Sequence, residues 1–116
     1  MKIQIKRIYD EPDASDGWRV LVDRLWPRGV AKENAEIDDW PKEVAPSSEL
    51  RKWYGHVPEK WTLFSQLYQD ELKGKANELA HVLDRCPEQT LTLLFAAKDV
   101  EHSHAVVLKD VLEKIK

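Results

Sequence analysis

Ile3, Ile5 and Ile8 alternate with Lys2, Gln4 and Lys6 at the start of the chain, and this period of two predicts a first strand over residues 2–9. Asp10 to Gly17 crowds acids together with Pro12, Ser15 and Gly17, the composition of a surface loop. Trp18 to Arg24 reads as a second strand, because Val20-Leu21-Val22 is a continuous apolar run of the kind found in strands covered on both faces. Leu25 to Gly29 must then turn, since Pro27 lacks a donor and pushes Trp26 out of the helical region. The pattern fades over residues 31–45. Ala31 to Ala35 fits a helical turn there, and Ile37 to Trp40 fits a short strand.

The period changes after Pro46. A serine cap ahead of Leu50, Trp53 and Tyr54 predicts a helix that ends at Gly55-His56-Val57-Pro58. Pro58 opens a second helix whose Trp61, Phe64, Leu67, Tyr68 and Leu72 recur at three and four residues. Gly74 closes it, and Lys75 to Arg85 repeats the pattern before Pro87. Thr90 to Ala97 is an apolar run of strand length, expected at the centre of a sheet. Ser103 to Lys116 has Val107, Leu108, Val111, Leu112 and Ile115 at helical spacing. Strands mixed with helices predict an α/β, single-domain sandwich over residues 1–116, with a small, mainly parallel sheet covered by helices.

Composition narrows the function classes. The 116 residues carry a net charge of −3 with a pI near 5.8, whereas a dedicated nucleic-acid domain needs a basic excess, so nucleic acid is not an expected partner. No apolar run approaches a membrane span and the first residues alternate instead of forming a leader core, so the expected location is the cytoplasm. The one cysteine, Cys86, precedes Pro87 at a helix end and is expected to pack. There is no glycine-rich phosphate loop, nucleophile elbow or zinc-ligand spacing, so neither cofactor nor metal is expected.

Two strand ends are chemically dense, and in open α/β sheets ligands bind beyond such ends. The first is Asp23-Arg24-Leu25-Trp26-Pro27-Arg28-Gly29, where Arg24 and Arg28 flank a rigid aromatic turn suited to a carboxylate or phosphate. The second is Lys98-Asp99-Val100-Glu101-His102-Ser103-His104, ahead of a helix whose first N–H groups favour an anion. Arg24, Trp26, Arg28, Lys98 and Ser103 are the candidate ligand contacts. His102 or His104 is the candidate acid or base, oriented by Asp23 or Asp99. Asp23 is as well suited to holding its loop, and either Asp99 or Ser103 to capping the helix. His56 is a turn residue able to close over the site. The five tryptophans all lie in the first 61 residues: Trp53 and Trp61 are assigned to helix packing and Trp18 to strand two, while Trp26 and Trp40 precede prolines near the expected cleft.

The string Val22-Asp23-Arg24-Leu25-Trp26-Pro27-Arg28-Gly29 resembles the YeaO-like family of small bacterial proteins, a domain of unknown function. The likeness continues through Ala45-Pro46-Ser47, Leu50 to His56, and Ala97-Lys98-Asp99 with Glu101, His102, His104 and Ala105. It implies a small cytosolic α/β domain and carries over no reaction. A broader set of related proteins has a glutamate near Ala97, a cysteine near Ser103 and an arginine near Ala105; this chain has none of them, which argues against thiol chemistry. The expectation is therefore a cleft between residues 23–29 and 98–104 that binds a small phosphorylated or carboxylated ligand, with acid/base chemistry as an extension. The competing expectation is a non-catalytic interaction module using Trp26, Trp40 and the arginines.

Overall fold

β3 (Thr90–Phe95) organises the molecule, because its residues from Leu91 to Phe95 are fully buried. It lies between β1 (Lys2–Arg7) and β2 (Trp18–Leu21), and both neighbours run parallel to it in the order β1-β3-β2. Ile3 stands opposite Leu91, and Val20 opposite Leu93. This computed structural model describes all 116 residues.

The two faces of the sheet are covered differently. On one, Leu91, Leu93 and Phe95 pack into a core of 18 buried residues. That core takes its remaining side chains mainly from α2 (Ser48–Tyr54), α3 (Trp61–Lys73), α4 (Ala76–Asp84) and α5 (His104–Ile115). On the other face Leu94 joins Ile8, Leu21 and Ala35 in a small cluster, closed by Trp26, Val30, Ile37 and Trp40. Here the cover is the 22–40 segment with one helical turn, α1 (Lys32–Ala35). The alternation along β3 follows from the period of two: odd positions face the helices, and Leu94 faces the loop layer.

α3 begins after a single 3₁₀ turn with Pro58 at its first position and presents Phe64, Tyr68 and Leu72 to the core. Burying each such side chain stabilises the fold by about 1.5–3 kcal/mol. Tyr68 is fully buried, and its hydroxyl donates to the Val44 carbonyl. Burial, reinforced by Glu71, pushes its phenol well above the ordinary range. Ser47 caps α2 by accepting the Leu50 N–H, as expected, and its own hydroxyl donates to Glu71.

Three expectations change. Trp53 and Leu67 are both 38% exposed, so neither belongs to the core. The inward line of α3 runs through Phe64, Tyr68 and Leu72 at steps of four, which leaves Leu67 on the flank, lining a shallow groove with Trp53 and Leu63. Ile37–Trp40 forms no strand; Asp39 makes one isolated bridge to Val20, and its carbonyl accepts the Leu21 N–H. β2 ends at Leu21 instead of Arg24, because the chain then turns toward the Trp26–Trp40 pair. The peptide bonds before Pro27 and Pro41 are trans. Cys86 is half-buried and packs against the large core.

The connection from β1 to β2 is held by a buried ion pair between Asp16 and Arg19, joined by Lys6 at 3.1 Å. Arg19 also donates to the carbonyls of Ala35 and Glu36, tying the loop layer to the sheet. Burial raises the Asp16 carboxyl, but the Asp13 N–H, Lys6 and Arg19 together outweigh it and hold the group below its ordinary value. No helix is long and apolar enough to cross a membrane.

Candidate functional site

The chain leaves β2 and β3 on the same side of the sheet, and a cavity of about 420 Å3 lies between the segments that follow. Residues 23–28 form one wall, and Ala96, Ala97 and residues 102–104 another. α2 contributes Arg51, Lys52 and Tyr54, and the turn after it contributes His56. The cleft therefore assembles Asp23, Arg24, Trp26, Arg28, His102, Ser103 and His104 from the two predicted strand ends. Lys98 and Asp99 are exposed and do not line it.

Asp23 sits at the junction of both walls. One carboxylate oxygen accepts the Ala96 N–H at 3.0 Å, and the other lies 3.3 Å from Nε2 of His104. Nε2 is also 3.0 Å from the Val22 carbonyl. Both neighbours are acceptors, so Nε2 carries the proton and Nδ1 is the free nitrogen of the ring. His102 is arranged the other way round, with Nδ1 2.8 Å from Asp99 and its ring edge-on to Trp61. That hydrogen bond is the chief reason the Asp99 carboxyl titrates below its ordinary value. Of the two acid–histidine pairs, only Asp23 and His104 both line the cavity.

The loop carrying Asp23 is rigid for reasons found in its aromatic residues. Trp26 and Trp40 meet edge to face at 5.4 Å. The Trp40 indole donates to the Asp23 carbonyl at 2.7 Å, and the Trp26 indole to the Val30 carbonyl at 2.7 Å. Arg24 donates to the carbonyls of Ala45 and Pro46, so part of its guanidinium ties the loop to the segment before α2. Arg28 is exposed, and no carboxylate pairs with it. Arg7, which the sequence did not single out, pins the end of β3 by donating to Ala96 and Ala97.

Ser103 occupies the cap position of α5 without accepting a bond there. Its hydroxyl donates instead to the Val100 carbonyl, and the residue is 2% exposed. Asp99 holds the preceding turn by accepting the His102 N–H. The N–H groups of His104 and Ala105 at the start of α5 find no acceptor within the chain, as expected for a first helical turn. The Tyr54 hydroxyl donates to the His102 carbonyl at 2.8 Å, and burial, then Asp99, raises its phenol above the ordinary value.

Arg51, Lys52 and Tyr54 were missed as site residues. Arg51 and Tyr54 are three apart and so share a face of α2, and Arg51 keeps a buried Nε without a hydrogen-bond partner. The available signal was the Leu50 to His56 string that carries the family likeness. His56 lines the cavity from a left-handed backbone, with φ of 59° after Gly55 at 52°. The wall holds Arg24, Arg28, Arg51 and Lys52 against a single carboxylate, Asp23, in a chain whose net charge is −3.

The family described as the inactive DUF488-N3 subclade matches residues 2–115. The uncharacterized protein YeaO of Escherichia coli is 45% identical over 116 residues, covering 99% of this chain and 100% of that protein. The uncharacterized proteins Rv3073c of Mycobacterium tuberculosis and Mb3100c of Mycobacterium bovis are each 41% identical over 111 residues, covering 96% of this chain and 93% of theirs. No solved structure matches the chain.

Proposed function

The chain belongs to the YeaO-like family, and for this member of it we propose a cytosolic domain that binds a small anionic ligand, phosphorylated or carboxylated, in the cleft beyond β2 and β3. The observation that carries this reading is the charge of the wall. Four cationic side chains face one carboxylate, and that carboxylate is already engaged by the Ala96 N–H and His104. An anion is the species that balances such a wall. The unpaired Nε of Arg51 and the free N–H groups of α5 support it further.

Binding without covalent chemistry fits best. The one aliphatic hydroxyl on the wall, that of Ser103, is buried and bonded to Val100, and Cys86 does not line the cleft. The family's description as inactive agrees with this. One observation favours an added step: His104, held by Asp23 and Val22 with Nδ1 free, is suited to move a proton on a bound ligand. A partner surface built on Trp26 and Trp40 is less well supported, because both indole N–H groups are donated inward to loop carbonyls.

The test is a thermal-shift titration with inorganic phosphate, pyrophosphate and small carboxylates. A ligand specific to the folded state stabilises it by about 2.7 kcal/mol at a hundred-fold excess over Kd. The shift is expected for the native chain and expected to vanish in the Arg28→Ala, Arg51→Ala double variant. No shift with any anion at millimolar concentration would overturn the reading.

A further inference from the structure

The cavity wall is chemically selective in a second respect, which rests on the anion-binding reading above. Its two tyrosines and its tryptophan each donate their polar hydrogen to a backbone carbonyl: Tyr9 to Arg28 at 2.9 Å, Trp26 to Val30 at 2.7 Å and Tyr54 to His102 at 2.8 Å. What they leave for a ligand is ring surface, with an acceptor lone pair at the two phenols. Phe64, stacked on Tyr54 at 4.2 Å and 2% exposed, backs that ring from the core.

Few groups that read hydroxyl-rich ligands stand on the same wall. No asparagine, glutamine or threonine lines it. Its serine donates to Val100 and is 2% exposed, and its carboxylate already accepts from Ala96 and lies against His104. A sugar or polyol brings several O–H donors, each of which needs an acceptor once it leaves water. Beyond two phenol oxygens and the imidazoles of His56, His102 and His104, this wall supplies cationic donors and rings.

We propose that the cleft takes a compact aromatic anion, an aryl phosphate or aryl carboxylate, and discriminates against polyol phosphates of the same charge. The head group meets the arginines, and the ring packs on Trp26 over the Tyr54–Phe64 stack. The size agrees: an apolar cavity of about 150 Å3 holds benzene, so about 420 Å3 accommodates a ring with its anionic head.

The test is calorimetric titration with probes matched in head group: phenyl phosphate, glycerol phosphate, glucose 6-phosphate and inorganic phosphate, with benzyl alcohol as the neutral ring. Phenyl phosphate is expected to bind at least about tenfold tighter than either polyol phosphate, the scale of one favourable ring contact. Saturation-transfer NMR on the unaltered chain should show the aryl protons in contact with the protein, a readout that needs no variant. Trp26→Leu should lower the ratio of phenyl phosphate to inorganic phosphate affinity. Equal or tighter binding of glycerol phosphate or glucose 6-phosphate overturns the aromatic inference and leaves the anion reading standing. Benzyl alcohol binding as tightly as phenyl phosphate, or no phosphate binding at all, overturns the anion reading itself.

Discussion

The Asp23 carboxylate bridges two strand ends that are 73 residues apart in sequence, accepting the Ala96 N–H at 3.0 Å with one oxygen while the other lies 3.3 Å from Nε2 of His104. This single side chain couples the loop after β2, the end of β3 and the start of α5. A carboxylate used in this way is fixed in orientation by both partners, one on each oxygen. It shapes the cleft and orients its histidine.

Asp23→Ala is therefore expected to cost about 1–3 kcal/mol, because the partly buried Ala96 N–H loses its acceptor. Asp23→Asn keeps an amide oxygen in that position and should recover most of the loss. Urea denaturation midpoints for the two variants check this, and equal destabilisation by both would show that the charge matters more than the hydrogen bond.

The two arginines of the 23–29 loop should separate. Arg24 holds the carbonyls of Ala45 and Pro46, so Arg24→Ala is expected to lower stability by about 1–2 kcal/mol as well as weaken anion binding. Arg28 is exposed, and Arg28→Ala should leave stability within about 0.5 kcal/mol while weakening binding. Thermal unfolding with and without phosphate distinguishes the two effects.

Asp16 gives the fold an acid-sensitive support. Its folded carboxyl titrates below the ordinary 3.8, so its contribution is fully present above that value and is lost as the pH falls through the lowered folded value. Asp16→Asn should flatten the stability profile below about pH 4. Asp16→Ala at neutral pH leaves Arg19, only 4% exposed, without its charge partner, at a cost of about 3–5 kcal/mol. Denaturation midpoints across pH 2–7 are the measurement (about this range spans the carboxylate titrations).

Gly17 cannot be replaced cheaply. It adopts a φ of 63°, and an added Cβ would lie 2.3 Å from the Thr90 carbonyl oxygen. Backbone on β3 cannot move aside without breaking the sheet, so Gly17→Ala is expected to cost at least about 2 kcal/mol, read as a lowered Tm. A neutral outcome would mean that the turn before β2 re-forms elsewhere.

Most elements were legible because one local signal governed each. The apolar run Leu91 to Phe95 identified the central strand, and Pro58, Phe64, Tyr68, Leu72 and Gly74 marked the start, face and end of α3. Trp53 and Leu67 misled because helical spacing finds a stripe but does not say how wide a strip the neighbouring helices cover. Ile37–Trp40 misled because its backbone bonds go to one bridge and to Arg19, not to a ladder.

The site was legible in part. The sequence by itself determined an α/β domain, its parallel sheet and the two segments dense in Arg, Asp and His, since patterning and strand-end chemistry are local properties. Tertiary structure decided which of those groups meet. It turned Lys98 and Asp99 outward, paired Asp23 with His104 across 81 residues, and brought Arg51 and Tyr54 in from α2. The reason is that which side chains meet beyond the strand ends depends on the packing of α5 on the sheet and of α2 on α3, and no window of the sequence contains both partners.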